Sequence, residues 1–315
     1  MHAYITIDGG TTSTRVNLFK NGEILDTVKL NIGARIAIEK REEYTNAIKG
    51  AIDQITFRNS VDNIERILAS GMITCEFGLC NLPHIKTPAG IEELHATMYE
   101  TTIEEISDIP FVFMRGVKTD NEDVDGFDMM RGEETELMGL MHKKYGKCIY
   151  VLPGSHSKII NTDNEGRIVS FSTMLTGEMI ASLSQYTILK DAVDLRVNKT
   201  NGEYLLKGYE YAKTEGVNKA LFKVRILKNN FNCSKEETYS FFMGIILCDE
   251  ISNIIQTDVE TVVIGGKEQI KKAIALILRE KSDKNIIEID EKTVELSTSV
   301  GMVKIYEHTN KNSDI

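Results

Sequence analysis

The sequence predicts an α/β protein with two domains, each built on a mixed β-sheet flanked by helices. The first observation is length, because 315 residues are about twice the size of a typical single domain. The second is an alternation of short apolar strands with helical segments, which is typical of sheets covered by helices. The third is a strand–glycine turn–strand–turn–strand unit that occurs twice, which indicates an internal duplication.

The first copy of this unit lies at the N-terminus. An apolar strand over residues 3–7 ends in the polar turn Asp8-Gly9-Gly10-Thr11-Thr12-Ser13, and a second strand follows over 15–20. Asn21-Gly22 is a strong hairpin signal, so a third strand is predicted over 23–30.

The second copy repeats the spacing of the first. A strand over 149–152 ends in Gly154-Ser155-His156-Ser157-Lys158, and Gly166 marks the next turn before a strand over 167–174. Gly22 follows Gly10 by 12 positions and Gly166 follows Gly154 by the same number, which offsets the copies by 144 residues. The alternative is two unrelated hairpins of similar length.

The predicted domains are residues 1–146 and 147–315, since each begins close to one copy of the unit. Among the helical segments, one is expected over 91–100 and a single long one over 235–255. A buried strand over 261–264 ends in Gly265-Gly266, a pair that suits close approach of an adenine or ribose. An ordinary strand-to-helix turn explains this pair equally well.

Composition excludes several classes of partner. The formal net charge of −10 argues against a surface for nucleic acid or anionic membrane, since both require a basic stripe.

The odd number of scattered cysteines, five, indicates reduced thiols in a cytoplasmic chain. We find no signal-peptide layout and no apolar run long enough to span a bilayer. Homo-oligomerisation is left open.

The first turn has the chemistry of a phosphate site. Glycine lets the backbone approach a phosphate, and N–H groups with the hydroxyls of Thr11, Thr12 and Ser13 can hold its oxygens. Asp8 could bind magnesium directly or through its waters. Such a turn is weakly specific alone, because hairpins use Gly and Thr routinely. Its pairing with the turn at Gly154 predicts two turns that face one cleft and hold a polyphosphate from both sides.

An acidic segment, Met130-Arg131-Gly132-Glu133-Glu134-Thr135-Glu136, precedes the second turn. A solvated helix start explains three acids, because carboxylates favour the first turn of a helix. The alternative is a carboxylate that accepts the proton of an attacking hydroxyl. Glu134 lies 20 residues before Gly154.

With these residues assembled, the chain resembles the actin-like sugar kinases, and within them the 2-dehydro-3-deoxygalactonokinases. The acidic segment is the most specific match, while residues 190–235 match nothing in the family. The segments that carry the resemblance are Ile7-Asp8-Gly9-Gly10-Thr11-Thr12-Ser13-Thr14-Arg15, Ser70-Gly71-Met72, Met130-Arg131-Gly132-Glu133-Glu134-Thr135-Glu136-Leu137-Met138-Gly139, Val151-Leu152-Pro153-Gly154-Ser155-His156-Ser157-Lys158 and Met174-Leu175-Thr176-Gly177-Glu178.

The resemblance implies a two-lobed actin-like ATPase (ribonuclease H-like) fold. It also implies transfer of the ATP γ-phosphoryl group to the C6 hydroxyl of 2-dehydro-3-deoxy-D-galactonate, with Mg²⁺, in galactonate catabolism. A polyphosphate or nucleotide phosphohydrolase of the same fold and a non-catalytic ATP-dependent sensor or scaffold are the alternatives. Retention of both Asp8 and Glu134 argues against the scaffold.

The resemblance also assigns roles to residues. Asp8 would hold magnesium, Glu134 would be the preferred base, and Glu133 would be the reserve, by analogy with hexokinases and exopolyphosphatases. Arg15 and Arg131 are the expected partners of the substrate carboxylate, because arginine suits bidentate recognition. The expected nucleotide contacts are Gly9, Gly10, Thr11, Thr12, Ser13, Gly154, Ser155, His156, Ser157, Lys158, Gly265 and Gly266, and the further substrate contacts are Gly71, Met72, Thr176 and Glu178.

Overall fold

Strands and helices alternate in a computed structural model of the chain, which describes residues 2–61, 63–266 and 268–308. The strands are β1 Ala3–Gly9, β2 Thr14–Lys20, β3 Glu23–Leu30, β4 Ile64–Gly71, β5 Ile85–Lys86, β6 Tyr99–Ile103, β7 Ser107–Phe113, β8 Val117–Lys118, β9 Met129–Met130, β10 Ile149–Leu152, β11 Ser157–Thr162, β12 Ile168–Met174, β13 Thr261–Ile264 and β14 Asn285–Glu288. The helices are α1 Arg41–Asn59, α2 Ile91–Ala96, α3 Glu133–Leu140, α4 Thr176–Tyr186, α5 Gly202–Glu215, α6 Val217–Phe231, α7 Lys235–Ile246, α8 Cys248–Gln256, α9 Glu268–Lys281 and α10 Glu291–Tyr306.

Contacts divide the chain into two compact units. The first unit comprises Met1–Lys144, Asn164–Ser170 and Lys292–Ile315, and the second comprises Tyr145–Asp163 and Phe171–Glu291. The first unit therefore includes α10, whereas the predicted domain boundaries assign this helix to the second domain, residues 147–315. The predicted boundaries, and the expectation that the two glycine turns face one cleft, stay predictions.

The main sheet of the first unit has the strand order β3-β2-β1-β4-β7-β6. β1 runs antiparallel to β2 and parallel to β4, β2 runs antiparallel to β3, and β4 runs parallel to β7. β6 adds an antiparallel edge strand. A small separate sheet has the order β5-β8-β9.

The sheet of the second unit repeats this topology. Its strand order is β12-β11-β10-β13-β14. β10 is antiparallel to β11 and parallel to β13, and β13 is parallel to β14. The first strand of each sheet thus lies between its hairpin partner and a later parallel strand. The predicted fold class, with duplicated mixed sheets flanked by helices, is confirmed.

The two faces of β1 have different environments because its side chains alternate. Ile5 and Ile7 are fully buried in an apolar core that includes Tyr44 and Ile48 of α1. Thr6 is on the opposite face, where its hydroxyl lies 2.7 Å from the hydroxyl of Ser299 in α10. Thr6 therefore faces a helix from near the other end of the chain.

The C-terminal helix α10 also packs closely against α3. A Cβ atom at Gly301 would lie 1.9 Å from the carbonyl oxygen of Thr135, so only glycine fits there. One turn later, the Lys304 ammonium donates to the carbonyl oxygens of Met138 and Gly139, each at 3.2 Å. These carbonyls end α3, where a cation is favourable. Helix α10 thus completes the surroundings of α3.

Two helix predictions were wrong in extent. The helix expected over 91–100 ends at Ala96, and the β-branched run that follows forms β6, paired with β7 at the sheet edge. The helix expected over 235–255 is broken at Leu247, whose ψ of −3° separates α7 from α8. Buried apolar residues continue through this break, so the pattern does not mark it.

In the described part of the chain, no single helix has the length and apolar content needed to cross a membrane. Only α7 and α8 taken together, with a bend of 48° between them, have that length and composition.

Three glycines form a junction between β1, β4 and the start of α3. A Cβ atom at Gly71 would lie 2.6 Å from the carbonyl oxygen of Gly9, and one at Gly132 would lie 3.2 Å from the Cα atom of Gly71. Gly71 has φ +88° and ψ −155°, a region that only glycine adopts readily. The absence of side chains lets the three backbones approach, which places the first turn of α3 beside the end of β1.

Replacing Gly71 with alanine should destabilise the protein. The strained dihedral angles alone cost on the order of 1–3 kcal/mol, and the clash with Gly9 adds to this. Gly50→Ala is the matched control, since Gly50 is exposed within α1 with nothing within 4 Å of a new Cβ atom. It should stabilise by roughly 0.5–1 kcal/mol. Urea unfolding of both variants tests the junction, and an unchanged midpoint for Gly71→Ala would contradict it.

Candidate active site

The first glycine turn is anchored at its ends and exposed at its tip. The amide of Gly10 donates to the Ser13 carbonyl at 2.9 Å. The carbonyl oxygens of Gly10 and Thr11 accept from the amides of Ala34 and Arg35, at 3.0 and 3.1 Å. Thr11, Thr12 and Ser13 are exposed. The predicted residues therefore do share one turn, and it presents three hydroxyl side chains.

A group of carboxyls lies beside this turn in the first unit. Burial raises the pKa of Asp8 above its usual range; Arg15 opposes this rise and Glu133 adds to it. Burial, Glu133 and Asp8 together raise the pKa of Glu136 to about 8. Asp8, Glu133 and Glu136, which we call the carboxyl cluster, therefore share one electrostatic environment.

Glu136 was missed by the sequence interpretation, which left it as part of a solvated helix start. Helical spacing is the signal that could have found it, because residues at i and i+3 share a face. Glu136 follows Glu133 by three positions in α3, whereas Glu134 is rotated away by about 100°.

The side chain of Glu134 is buried in the interior of the first unit. It is 0% exposed, and both carboxyl oxygens accept from the Gly132 amide, at 3.0 and 2.8 Å. One oxygen also accepts from the Thr135 hydroxyl at 2.9 Å, and that hydroxyl lies 2.7 Å from the Ser70 hydroxyl. Burial raises the pKa of Glu134 to about 7. These bonds link the start of α3 to the end of β4.

Glu133 is the more accessible of the adjacent pair. It is half-buried, and one carboxyl oxygen accepts from the Arg131 amide at 3.0 Å. The preference for Glu134 as base stays a prediction, but accessibility and membership of the carboxyl cluster favour Glu133.

The guanidinium of Arg131 holds the loop that follows β4. One terminal nitrogen donates to the carbonyl and hydroxyl oxygens of Thr74, both at 2.6 Å. The other donates to the Leu82 carbonyl at 3.0 Å and lies 3.3 Å from a ring nitrogen of His84. Met72, which begins this loop, is half-buried. The geometry favours Arg131 as an organiser of the loop, and its role toward a substrate carboxylate stays a prediction.

Arg15 lies beside Asp8 in the first sheet. The register pairs Arg15 with Asp8 on one side and with Lys29 on the other. Its Nε atom is buried and has no hydrogen-bond partner in the part of the chain that the structure describes. Because a buried unpaired donor is costly, Arg15 is the stronger of the two arginines as a candidate for an anionic ligand.

The second glycine turn has an exposed tip and buried flanks. Gly154, Ser155 and His156 are exposed, whereas Ser157 and Lys158 are 0% and 4% exposed. The Lys158 ammonium donates to the Thr173 hydroxyl at 2.7 Å. A ring nitrogen of His156 lies 2.9 Å from a carboxyl oxygen of Glu178.

Two other predicted segments meet the second turn within the second unit. Gly177 in α4 packs so closely that a Cβ atom there would lie 2.4 Å from the Gly154 carbonyl oxygen. The Gly265 amide donates to the Val151 carbonyl at 2.9 Å, and a Cβ atom at Gly266 would lie 2.8 Å from Pro153. The second turn, the start of α4 and Gly265-Gly266 thus form one site.

Glu250 of α8 completes this site, and the sequence interpretation missed it. Its carboxyl is 1% exposed and accepts from the hydroxyls of Ser157 and Thr176, at 2.5 and 2.7 Å. Burial raises the pKa of Glu250, and the two hydrogen bonds oppose that rise. Its position beside buried Cys248 and Ile251 was the available signal, because a carboxyl on a buried helix face requires donors.

Comparison with known proteins decides the family. A family model for 2-keto-3-deoxy-galactonokinases matches residues 8–297. The chain belongs to the 2-keto-3-deoxy-galactonokinase family. A 2-dehydro-3-deoxygalactonokinase from Escherichia coli (strain K12) is 23% identical over 265 residues, which are 80% of each chain.

A curated relative and a solved structure are also similar to this chain. A Rhizobium meliloti (strain 1021) protein named "Probable 2-dehydro-3-deoxygalactonokinase DgoK1" is 32% identical over 130 residues, which are 40% of each chain. A Sinorhizobium meliloti structure with a provisional name for the same kinase has a TM-score of 0.78 at 20% identity. That alignment covers 96% of this chain and 97% of the other, and at this identity it concerns the fold.

Membership of the galactonokinase family confirms the main functional predictions. The chain is a kinase, a phosphotransferase with an alcohol group as acceptor. A kinase of this fold uses ATP as co-substrate. The roles of individual residues, and the requirement for magnesium, stay predictions.

The raised pKa values make stability of the kinase depend on pH. In the folded chain Glu136 keeps its proton up to about pH 8, whereas in the unfolded chain it has the ordinary glutamate pKa of 4.5. The folded state therefore binds more protons between these values, so the free energy of unfolding falls as pH rises through this range. Glu136→Gln should flatten that fall and raise Tm at pH 8.

Thermal unfolding between pH 5 and 8, in buffer with EDTA and without nucleotide, measures this effect. Glu104→Gln is the control, because Glu104 is exposed in a turn of the same unit, and its profile should run parallel to wild type. A parallel profile for Glu136→Gln as well would contradict the proposed environment of the carboxyl cluster.

Proposed function

We propose that this galactonokinase transfers the γ-phosphoryl group of ATP to the C6 hydroxyl of 2-dehydro-3-deoxy-D-galactonate, with Mg²⁺. The observation that carries the mechanism is the carboxyl cluster beside the hydroxyl-bearing turn of the first unit. Phosphoryl transfer asks a protein mainly for positioning, charge stabilisation and a group that orients the attacking hydroxyl. The first unit offers residues suited to each task.

Glu133 is the proposed base. It is half-buried in the carboxyl cluster, so it can reach a bound hydroxyl and accept its proton. Glu134 instead supports the first turn of α3 through its bonds to the Gly132 amide. This division gives the two adjacent glutamates separate roles.

Asp8 is the proposed magnesium ligand. Its donor atoms are oxygens, which magnesium prefers, and burial, with a smaller contribution from Glu133, raises its pKa, so a cation there would favour the ionised carboxylate. Among the described residues, no group of three or more His, Cys, Asp or Glu side chains could hold a metal. Magnesium is commonly bound by one or two carboxylates and completed by water and substrate phosphates. The ion would neutralise charge on the phosphate oxygens.

The remaining contacts follow from the two turns and Arg15. The two turns are proposed to hold the phosphates. The first would use backbone and hydroxyl groups of Gly9, Gly10, Thr11, Thr12 and Ser13, and the second would use the backbone of Gly154, Ser155, His156 and Ser157. Lys158 is proposed to offset the charge of the phosphates. Gly265 and Gly266 are proposed to approach the adenosine. Arg15 is proposed to bind the sugar-acid carboxylate through donors that include its unpaired Nε atom. Gly71 and Met72 stay proposed substrate contacts, whereas Thr176 and Glu178, which bond to Glu250 and to the Ser155 carbonyl, are proposed to support the nucleotide site instead.

ATP consumption should depend on the sugar acid. In a coupled assay over a panel of 2-keto-3-deoxy sugar acids, we expect turnover with 2-dehydro-3-deoxy-D-galactonate and a product phosphorylated at C6, identified by NMR. Epimers that cannot use the same hydroxyl contacts should have kcat/KM lower by about tenfold or more. ADP release at the same rate with and without acceptor would instead indicate a phosphohydrolase.

The two glutamates should respond differently to amide substitution. Glu133→Gln removes the proposed base, so kcat should fall by about 10²–10⁴-fold with little change in KM for ATP. In Glu134→Gln, an NH₂ group replaces one of the two carboxyl oxygens that accept from the Gly132 amide. That buried amide loses part of its hydrogen bonding, so the free energy of unfolding should fall by about 1–3 kcal/mol. Steady-state kinetics and urea unfolding of this matched pair measure both effects. A stable but inactive Glu134→Gln beside an active Glu133→Gln would restore Glu134 as the base.

A further inference from the structure

The carboxyl of Glu250 joins two segments that flank the second glycine turn. Ser157 begins β11, directly after the exposed tip, and its buried hydroxyl donates to one oxygen of Glu250. Thr176 begins α4, and its hydroxyl donates to the other oxygen. Through these bonds, one side chain of α8 holds both elements.

The start of α4 is itself part of the wall of the turn. The Glu178 amide donates to the Ser155 carbonyl at 3.2 Å, and Gly177 packs against the Gly154 carbonyl. A shift of Thr176 would therefore move the contacts that hold Gly154 and Ser155. Glu250 therefore acts on the tip of the turn through Ser157, which follows the tip, and Thr176, which begins α4.

A carboxylate suits this position better than other side chains. An ionised carboxylate only accepts hydrogen bonds, so both hydroxyls must donate to it and each is held in one orientation. Burial of a charge is costly unless it is paired or hydrogen-bonded, and here two hydroxyl donors compensate part of that cost. A loop already fixed in its bound conformation loses less entropy when its ligand binds.

We propose that Glu250 is a positioning residue, which holds the second glycine turn in the conformation that binds the phosphates of ATP. The inference rests on the proposed function, because it takes this turn as a phosphate site. Loss of Glu250 should weaken ATP binding without altering the sugar-acid site.

Glu250→Ala should raise the Kd of a non-hydrolysable ATP analogue and the KM for ATP by about tenfold, or about 1.4 kcal/mol. KM for the sugar acid should stay within about twofold of wild type, because its proposed contacts with Arg15 and the carboxyl cluster are in the first unit. Calorimetric titration and steady-state kinetics, both well below the Tm of each variant, give these values.

Two further variants separate positioning from general stability. Ile254→Ala removes a fully buried side chain from the same helix, so it should lower Tm without changing the Kd for nucleotide. Glu250→Gln can accept from one hydroxyl and donate to the other, so it should keep Kd within about threefold of wild type. If Glu250→Ala does not fold, Ser157→Ala and Thr176→Ala each remove one bond and should each raise Kd severalfold.

An unchanged Kd in Glu250→Ala, or in both hydroxyl variants, would overturn the proposal. A rise in Kd for Ile254→Ala as large as that for Glu250→Ala would also overturn it, because general destabilisation would then explain the effect. The proposed function has a separate test in wild type, since failure of wild type to bind or consume ATP would refute that function before any variant is compared.

Discussion

The close approach of three backbones at Gly9, Gly71 and Gly132 is the constraint on which the site of the first unit depends. At this junction the ends of β1 and β4 meet the residue that precedes α3, at distances that exclude a side chain at Gly9 and Gly71 and crowd one at Gly132. The carboxyls of α3 can share an electrostatic environment with Asp8 only because the helix starts so near this strand end. The amide of Gly132 is in turn fixed by the buried carboxyl of Glu134. Backbone packing and carboxyl placement are therefore one arrangement.

The position of each glutamate along α3 determines the direction in which its side chain points. Successive residues of a helix point in directions about 100° apart, so Glu134 turns into the interior while Glu133 and Glu136 share another face. Spacing along the chain could locate this segment relative to Gly154, but it could not choose between adjacent glutamates. The burial of each side chain makes that distinction, and burial depends on how α3 packs against β4 and α10.

Much of the fold could be predicted because its signals are local. Glycine turns, an Asn-Gly hairpin and the repeated 12-residue spacing mark the duplicated sheets, and each signal lies within a short stretch of chain. The break at Leu247 and the conversion of residues 99–103 to a strand depend on tertiary packing, which overrides local pattern. The partners of Glu250 could not be predicted for the same reason, since 93 residues separate it from Ser157.

The return of α10 to the first unit has a consequence for synthesis on the ribosome. The second unit ends at Glu291, the first residue of α10, so its residues emerge before the rest of that helix does. The first unit begins with the N-terminus yet needs α10, whose Ser299 contacts Thr6 and Asn17 of the first two strands. Domains commonly fold in the order of their synthesis, N-terminal first. Here the unit that starts first is completed last, and until then Thr6 and Asn17 lack the hydroxyl of Ser299 as a partner.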